Sequence, residues 1–180
     1  IRERTTDLEK IALTNSLSRK ISNNQLTIDE AKTELIHLRR ASLQYSFFMN
    51  FIAAFVACGF FLFMFGGTAS DFWIACLAGG AAFLTFSFVQ KYIQIKFFSE
   101  FVASAVVISI AAIFTKIGIA KNQDIITIAS VMPLVPGILI TNAIRDLLAG
   151  ELLAGMSRGV EAALTAFAIG AGVAIVLLLL

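Results

Sequence analysis

Charge is scarce in this 180-residue chain, and proline, cysteine and histidine are scarcer still. Charged residues make up 14% of the sequence and hydrophobic residues 58%, whereas an ordinary soluble domain is about 25% charged. Eight of the 14 Lys and Arg residues lie in the first 40 residues, and from Tyr45 onward one apolar run follows another. The composition predicts an integral membrane protein with a short polar N-terminal segment, and it gives no indication of a nucleic-acid partner.

The two cysteines and the single histidine argue against a metal site or a catalytic nucleophile. Cys58 and Cys76 both fall within apolar runs, so packing is their expected role. His37 has no second histidine to join it, and the sequence contains neither a His-Glu-x-x-His motif nor a phosphate-binding loop. We therefore predict that the chain is not an enzyme, needs no cofactor and does not itself hydrolyse ATP.

Residues 1–44 are predicted to form a cytoplasmic helical segment. Two Ser/Thr-x-x-Glu patterns, at residues 6–9 and 27–30, are typical of the capping box that begins a helix. A polar turn at residues 22–25 separates them, and apolar residues recur at helical spacing after each one. The sequence begins with Ile1 and shows no signal-peptide pattern, so we expect it to start inside a longer protein.

Residues 45–180 are predicted to form an all-α transmembrane domain of about five helices. A helix needs about 20 apolar residues to cross the hydrocarbon core. Small residues at helical spacing in two of the spans predict close contacts between helices. The predicted spans are residues 47–65, 72–89, 97–117, 125–144 and 160–180, and the small residues are Ala75, Ala78, Gly79, Ala82, Ala166, Gly170 and Ala174.

The basic residues that flank these spans predict the orientation of the chain. Cytoplasmic connections carry an excess of Lys and Arg. With the N-terminus inside, six basic residues are cytoplasmic and two are external, so we predict a cytoplasmic N-terminus and an external C-terminus in the plasma (inner) membrane. The six are Arg39, Arg40, Lys91, Lys96, Arg145 and Arg158, and the two are Lys116 and Lys121.

Both prolines of the chain, Pro133 and Pro136, lie in the middle of the fourth predicted span. Each removes a helical hydrogen bond, which is predicted to free the carbonyls of Ala129 and Met132. Each also disfavours a helical backbone at the residue before it, here Met132 and Val135. Freed backbone groups must be buried or line a wet cavity, and broken helices of this kind recur at transporter substrate sites. A simple kink is the alternative.

The half-helix after the break is predicted to provide a seat for a carboxylate. Pro136 suits the first position of a new helix, so the amides of Gly137 and Ile138 are expected to be open toward the membrane centre. A helix N-terminus carries partial positive charge and attracts anions. Thr127 and Ser130, just before the break, could add hydroxyl groups. We predict that a small carboxylate-bearing solute binds here.

Five polar residues near the predicted cytoplasmic end of this region are candidates for a gate or a substrate contact. Arg145 is about 14 Å beyond the second proline at 1.5 Å per residue, close to the membrane interface. Arg158 and Glu161 are three residues apart at the start of the fifth span and could pair. The alternative is that these charges only anchor the chain at the interface. The five are Asn142, Arg145, Asp146, Arg158 and Glu161.

These same residues carry a resemblance to a known family. Residues 133–137 and 141–147, followed by Gly150, Gly155 and Arg158, are similar to the signature of the threonine/serine exporter family, as are residues 15–18 and 28–31. The resemblance implies a bacterial exporter of threonine, serine or small dicarboxylates. The chain resembles the larger subunit of the two-subunit form, N-terminally incomplete, which implies a smaller hydrophobic partner subunit, a homo-oligomer, or both.

Two function classes remain after these observations. The first is a membrane exporter subunit that moves a small amino acid or carboxylate out of the cell as a secondary transporter. The second is a membrane scaffold that transports nothing and that assembles or anchors a partner through residues 1–40. An intramembrane enzyme fits least well, because no two carboxylates face each other in the middle of a span.

Overall fold

Helices joined by short connections make up the residues described by the computed structural model, which are 8–23, 25, 26, 28–40, 45–93, 95 and 97–179. No strand occurs within these ranges, and the all-α prediction is confirmed. The residues divide into two compact units, 1–47 and 48–180.

The first unit is a pair of helices that pack on each other. Helix α1 spans Leu8–Ser22 and α2 spans Ile28–Arg40. Among the described side chains, Leu17 of α1 and Ala31 of α2 are buried apolar ones. The predicted capping residues Thr6 and Thr27 lie outside the described residues.

The second unit contains the apolar helices. Four of them are long and apolar enough to cross a membrane, and a fifth crossing results if one bent pair counts as a single span. The helices are α3 (Phe47–Met64), α4 (Phe72–Tyr92), α5 (Phe98–Lys116), α6 (Gln123–Val131), α7 (Gly137–Leu148) and α8 (Leu152–Leu179).

Two helices extend beyond the residues predicted as membrane spans. The fourth predicted span, residues 125–144, contains two helices, and the second of them continues to Leu148. Helix α8 begins at Leu152, before the predicted fifth span at residue 160, because Arg158 and Glu161 continue the helix instead of interrupting it. The bounds of the membrane spans themselves stay a prediction. The predicted last residue, Leu180, lies outside the described residues, as does Lys96, one of the six residues used to predict orientation. The orientation itself stays a prediction.

The small residues predicted to mediate contacts behave differently in the two helices. In α4, Ala75, Ala78, Gly79 and Ala82 are buried as predicted. In α8 the prediction was wrong: Ala166, Gly170 and Ala174 are exposed on the isolated chain. The buried face of α8 is formed by a different set, Gly155, Ala162, Thr165, Ala168, Ile169 and Gly172.

Helices α3 and α4 interlock through two reciprocal pairs of small residues. A methyl group added at Gly79 would overlap the side chain of Cys58, and one added at Gly59 would overlap Cys76 and Phe72. Each thiol therefore occupies the space left by a glycine on the opposite helix. Both cysteines are free and buried, which agrees with the packing role predicted for them.

Candidate functional site

The break between α6 and α7 is a compact, hydrogen-bonded turn. A short 3₁₀ segment, Met132–Leu134, follows α6, and Val135 is extended (φ −65°, ψ 130°). Pro136 (φ −79°, ψ 56°) has the backbone geometry of an inverse γ-turn, and the Gly137 amide donates to the Val135 carbonyl across 2.8 Å. The axes of the two flanking helical segments differ in direction by 63°. The predicted break is present.

Three details predicted for the break were wrong. The Gly137 amide is not open, because the γ-turn uses it. The Met132 carbonyl is not free, because it accepts a hydrogen bond from the Val135 amide (3.1 Å), and Met132 itself keeps helical angles (φ −49°, ψ −42°). The physical reason is that Pro136, four residues after Met132, has no amide to donate, whereas Val135, three residues after it, has one. A 3₁₀ turn forms this shorter bond between residues three apart. The steric restriction before proline is obeyed only at Val135.

The N-terminus of α7 still presents amide groups without helical acceptors. The Ile140 amide donates to the Pro136 carbonyl, but those of Ile138 and Leu139 come too early in the helix for an intrahelical acceptor. Helix α7 has 12 residues, and its N-terminal end therefore carries the partial positive charge of a helix dipole.

The two hydroxyl groups predicted to face the break both donate to backbone carbonyls. Ser130 is fully buried, and its hydroxyl donates to the Ala75 carbonyl on α4 across 3.1 Å. Thr127, also buried, donates to the Gln123 carbonyl one turn earlier, across 2.8 Å. The Cys58 thiol of α3 in turn lies 3.8 Å from the Ser130 carbonyl. The two contacts of Ser130 join the last turn of α6 to α3 and α4, whereas the Thr127 bond stays within α6.

The charged residues gather where α7 meets α8. The guanidinium of Arg158 donates a hydrogen bond to the carboxylate of Asp146, so an ion pair joins the two helices. Asn142, one turn before Asp146, is half-buried on α7. Arg145 is exposed, and its side chain forms no hydrogen bond or ion pair within the described part of the chain. Glu161 is half-buried one turn beyond Arg158.

A tight turn places the two members of the ion pair side by side. Gly150 (φ 84°) follows the end of α7, and the amides of Gly150 and Glu151 donate to the carbonyls of Leu147 and Asp146. This is the Schellman arrangement, which needs the left-handed conformation that glycine adopts at low cost. Gly155 then lets α8 approach α7 closely, because any added methyl group would overlap the Leu147 side chain.

One buried charged residue was missed by sequence reasoning. Asp71, which lies between the first two predicted spans, is fully buried directly before α4. Its carboxylate accepts hydrogen bonds from the Lys121 amide (3.0 Å) and the Thr68 hydroxyl (2.9 Å). The signal was present, since residues 68–71 have the Thr-x-x-Asp form that precedes many apolar helices.

No group of three or more metal-ligating side chains occurs among the described residues. A family model described as "putative threonine/serine exporter" matches residues 1–180, the whole chain. No curated protein and no solved structure matches the sequence.

Proposed function

We propose that this chain, which belongs to the threonine/serine exporter family, moves a small amino acid or carboxylate out of the cell as a secondary transporter. The single observation that carries the proposal is the 63° break between α6 and α7. A break of this kind at membrane depth brings a helix N-terminus to the middle of the bilayer, which is a recurrent place for anionic substrate groups. Family membership supports the direction of transport.

The solute carboxylate is proposed to bind at the N-terminus of α7. The Ile138 and Leu139 amides and the dipole of α7 supply the attraction. The extended Val135 and the turn at Pro136 hold that helix end in place. Thr127 and Ser130 are proposed to contact the solute by exchanging their present carbonyl acceptors for solute groups, and Gly137 to leave room beside it, since no atom lies within 4 Å of its missing side chain.

The ion pair between Asp146 and Arg158 is proposed to be part of the gate on the cytoplasmic side. Arg145, which has no partner within the described residues, is proposed to meet the solute first. Asn142 and Glu161 lie one turn from the members of the pair and are proposed to guide the solute past it. In this arrangement the solute enters from the end where Arg158 lies and leaves from the end where Asp71 lies.

Solute flux in reconstituted vesicles tests the proposal. Vesicles containing the full chain, with and without a smaller hydrophobic partner subunit, are loaded with labelled threonine, serine or succinate, and an ion gradient is imposed. We expect release of at least one of these solutes to depend on the gradient. The absence of gradient-dependent release under both conditions would contradict secondary transport and would favour the scaffold function.

A further inference from the structure

The buried carboxylate of Asp71 joins two connections that are far apart in sequence. Thr68 and Asp71 belong to the turn between α3 and α4, and Lys121 belongs to the connection between α5 and α6. One carboxylate oxygen accepts from the Lys121 amide at 3.0 Å, and the other accepts from the Thr68 hydroxyl at 2.9 Å. Hydrogen bonds to an ionised group are stronger than those between neutral groups. The carboxylate therefore fixes one connection against the other.

This contact lies directly before the start of the broken segment. Lys121 lies two residues before Gln123, the first residue of α6. The far end of α6 is held independently by the bond from Ser130 to Ala75 on α4. Between the Asp71–Lys121 bond and the Ser130–Ala75 bond lies an apolar cluster, which fills the end of the second unit where α6 begins. Helices α3, α4, α5 and α6 and the connection before α6 all contribute to it. Its buried members are Leu62, Ile74, Ala75, Ala111, Ala120, Ile126 and Ala129.

We propose that Asp71 is a latch that holds the start of α6 closed against α4 and that releases when this end of the bundle opens during transport. The inference rests on the proposed transport function. Moving the start of α6 away from α4 must break the bond to Lys121. A buried carboxylate that loses a donor is unfavourable until water replaces it. The bond thus favours the closed arrangement and opposes leakage through this end.

The donor is the backbone amide of Lys121 and not its ammonium group. The Lys121 side chain is exposed and forms no hydrogen bond or ion pair within the described residues. Replacing the lysine by alanine keeps the amide, so Lys121→Ala leaves the latch intact. The same change would be as harmful as Asp71→Ala if the carboxylate acted through an ion pair with the ammonium. The chain therefore provides its own matched control.

Thiol labelling at Ile126 tests the latch directly. Ile126 is fully buried in the first turns of α6. The full chain with Cys58→Ala, Cys76→Ala and Ile126→Cys is placed in lipid vesicles and treated with a water-soluble maleimide. Because Asp71→Ala removes hydrogen bonds to a charged group, adding it should speed labelling at least about tenfold. Lys121→Ala should leave the rate unchanged, and Asp71→Asn should be intermediate.

The inference is overturned if Asp71→Ala labels no faster than its parent, or if Lys121→Ala labels as fast as Asp71→Ala. If Asp71→Ala does not accumulate in the membrane, Asp71→Asn takes its place, since its amide oxygen can still accept from the Lys121 amide without the charge. Labelling of Asp71→Asn no faster than its parent would then overturn the inference. Labelling needs no solute and no flux. A labelling difference between Asp71→Ala and its parent, without gradient-driven release of solute, would contradict the proposed transport and support the contact at Asp71. Gradient-driven release without that labelling difference would support the transport and contradict the role of Asp71.

Discussion

Arg158 on α8 forms an ion pair with Asp146 on α7, across the turn that Gly150 makes possible. The Asp146 side chain is 15% exposed and the Arg158 side chain 41%. The carboxylate is therefore largely enclosed while the guanidinium reaches out of the helix pair. A contact of this type can open without unpacking the two helices, because Gly155 and Leu147 hold them together independently.

Reversing the ion pair separates its role in transport from its role in stability. Asp146→Asn alone and Arg158→Gln alone should each slow export severalfold, whereas Asp146→Arg combined with Arg158→Asp should recover part of the rate. Partly exposed pairs contribute about 1 kcal/mol or less, so membrane abundance should change little. Flux and abundance are measured on the same vesicles.

Glu151→Gln is the matched control for these variants. Glu151 is an exposed acid in the same turn, and it forms no side-chain ion pair within the described residues. Its variant should export at the parent rate. If the single variants of Asp146 and Arg158 also export at that rate, the pair is not part of the gate.

Lysine substitutions at Arg145 and Arg158 test whether either guanidinium binds a carboxylate. Lysine keeps the charge but loses the planar, two-pronged geometry. We expect Arg145→Lys and Arg158→Lys to keep normal abundance and topology and to export more slowly, with alanine slower still. Lysine variants that match the parent rate, on equal amounts of membrane protein, would reduce both arginines to orientation signals.

The close packing of α3 against α4 predicts that alanine substitution at two glycines, Gly79 and Gly170, affects thermal stability differently. Gly79→Ala should lower thermal stability in detergent by several degrees, because overpacking a core costs about 1–3 kcal/mol. Adding Cys58→Gly should restore part of the loss, since the added methyl group meets the Cys58 side chain. Gly170→Ala on α8 is the control, because nothing lies within 4 Å of its missing side chain. Equal effects at Gly79 and Gly170 would contradict the interlock.

The helices and the position of the break could be predicted from sequence because both depend on local properties. Apolar runs of about 20 residues predict membrane helices, and Pro133 and Pro136 cannot continue one. What could not be predicted is where the released backbone groups find partners. The Val135 amide turns to Met132, and the Gly137 amide turns to Val135. Those choices depend on the exact path of the turn, which composition does not determine.

Contacts between distant parts of the chain also could not be predicted from the sequence. Spacing along the sequence indicated that Glu161, on the same helix, could pair with Arg158, and that pairing stays a prediction. Spacing could not indicate that Asp146 on α7 also contacts Arg158. The exposed small residues of α8 show the same limit, because four-residue spacing marks a face of a helix without saying what covers it. Asp71 could have been recognised by its Thr-x-x-Asp pattern, but its bond to Lys121 joins positions 50 residues apart.

Labelling of engineered cysteines at Ser70 and Glu151 determines whether the bent pair crosses the membrane. Both residues are exposed in connections between the long helices. If α6 and α7 together form one span, the two positions lie on opposite sides, and we predict labelling of Ser70→Cys only from outside and of Glu151→Cys only from the cytoplasm. Labelling of both from the same side would mean that α6 and α7 form a re-entrant loop. A cysteine at Ser42, which lies outside the described residues, should be labelled from the cytoplasm.

The break itself is tested most directly by removing it. Pro133→Ala combined with Pro136→Ala restores the two missing amides and relieves the restriction at Val135, so α6 and α7 should merge into one continuous helix. The helix end that is proposed to bind the solute would then disappear. Ala149→Pro is not a suitable control, because it would remove the hydrogen bond from the Ala149 amide to the Arg145 carbonyl. The control is Ala166→Ser, a small change on the exposed face of α8.

The decisive measurement is gradient-driven release of labelled solute from vesicles that contain equal amounts of the parent chain, the double proline variant and the Ala166→Ser control. We predict that the double variant reaches normal abundance and melts no lower than the parent, yet releases solute at less than about a tenth of the parent rate, as expected when the principal electrostatic contacts of a site are lost. The control should release solute at the parent rate. Release by the double variant at the parent rate would contradict the claim that the break between α6 and α7 is the transport site.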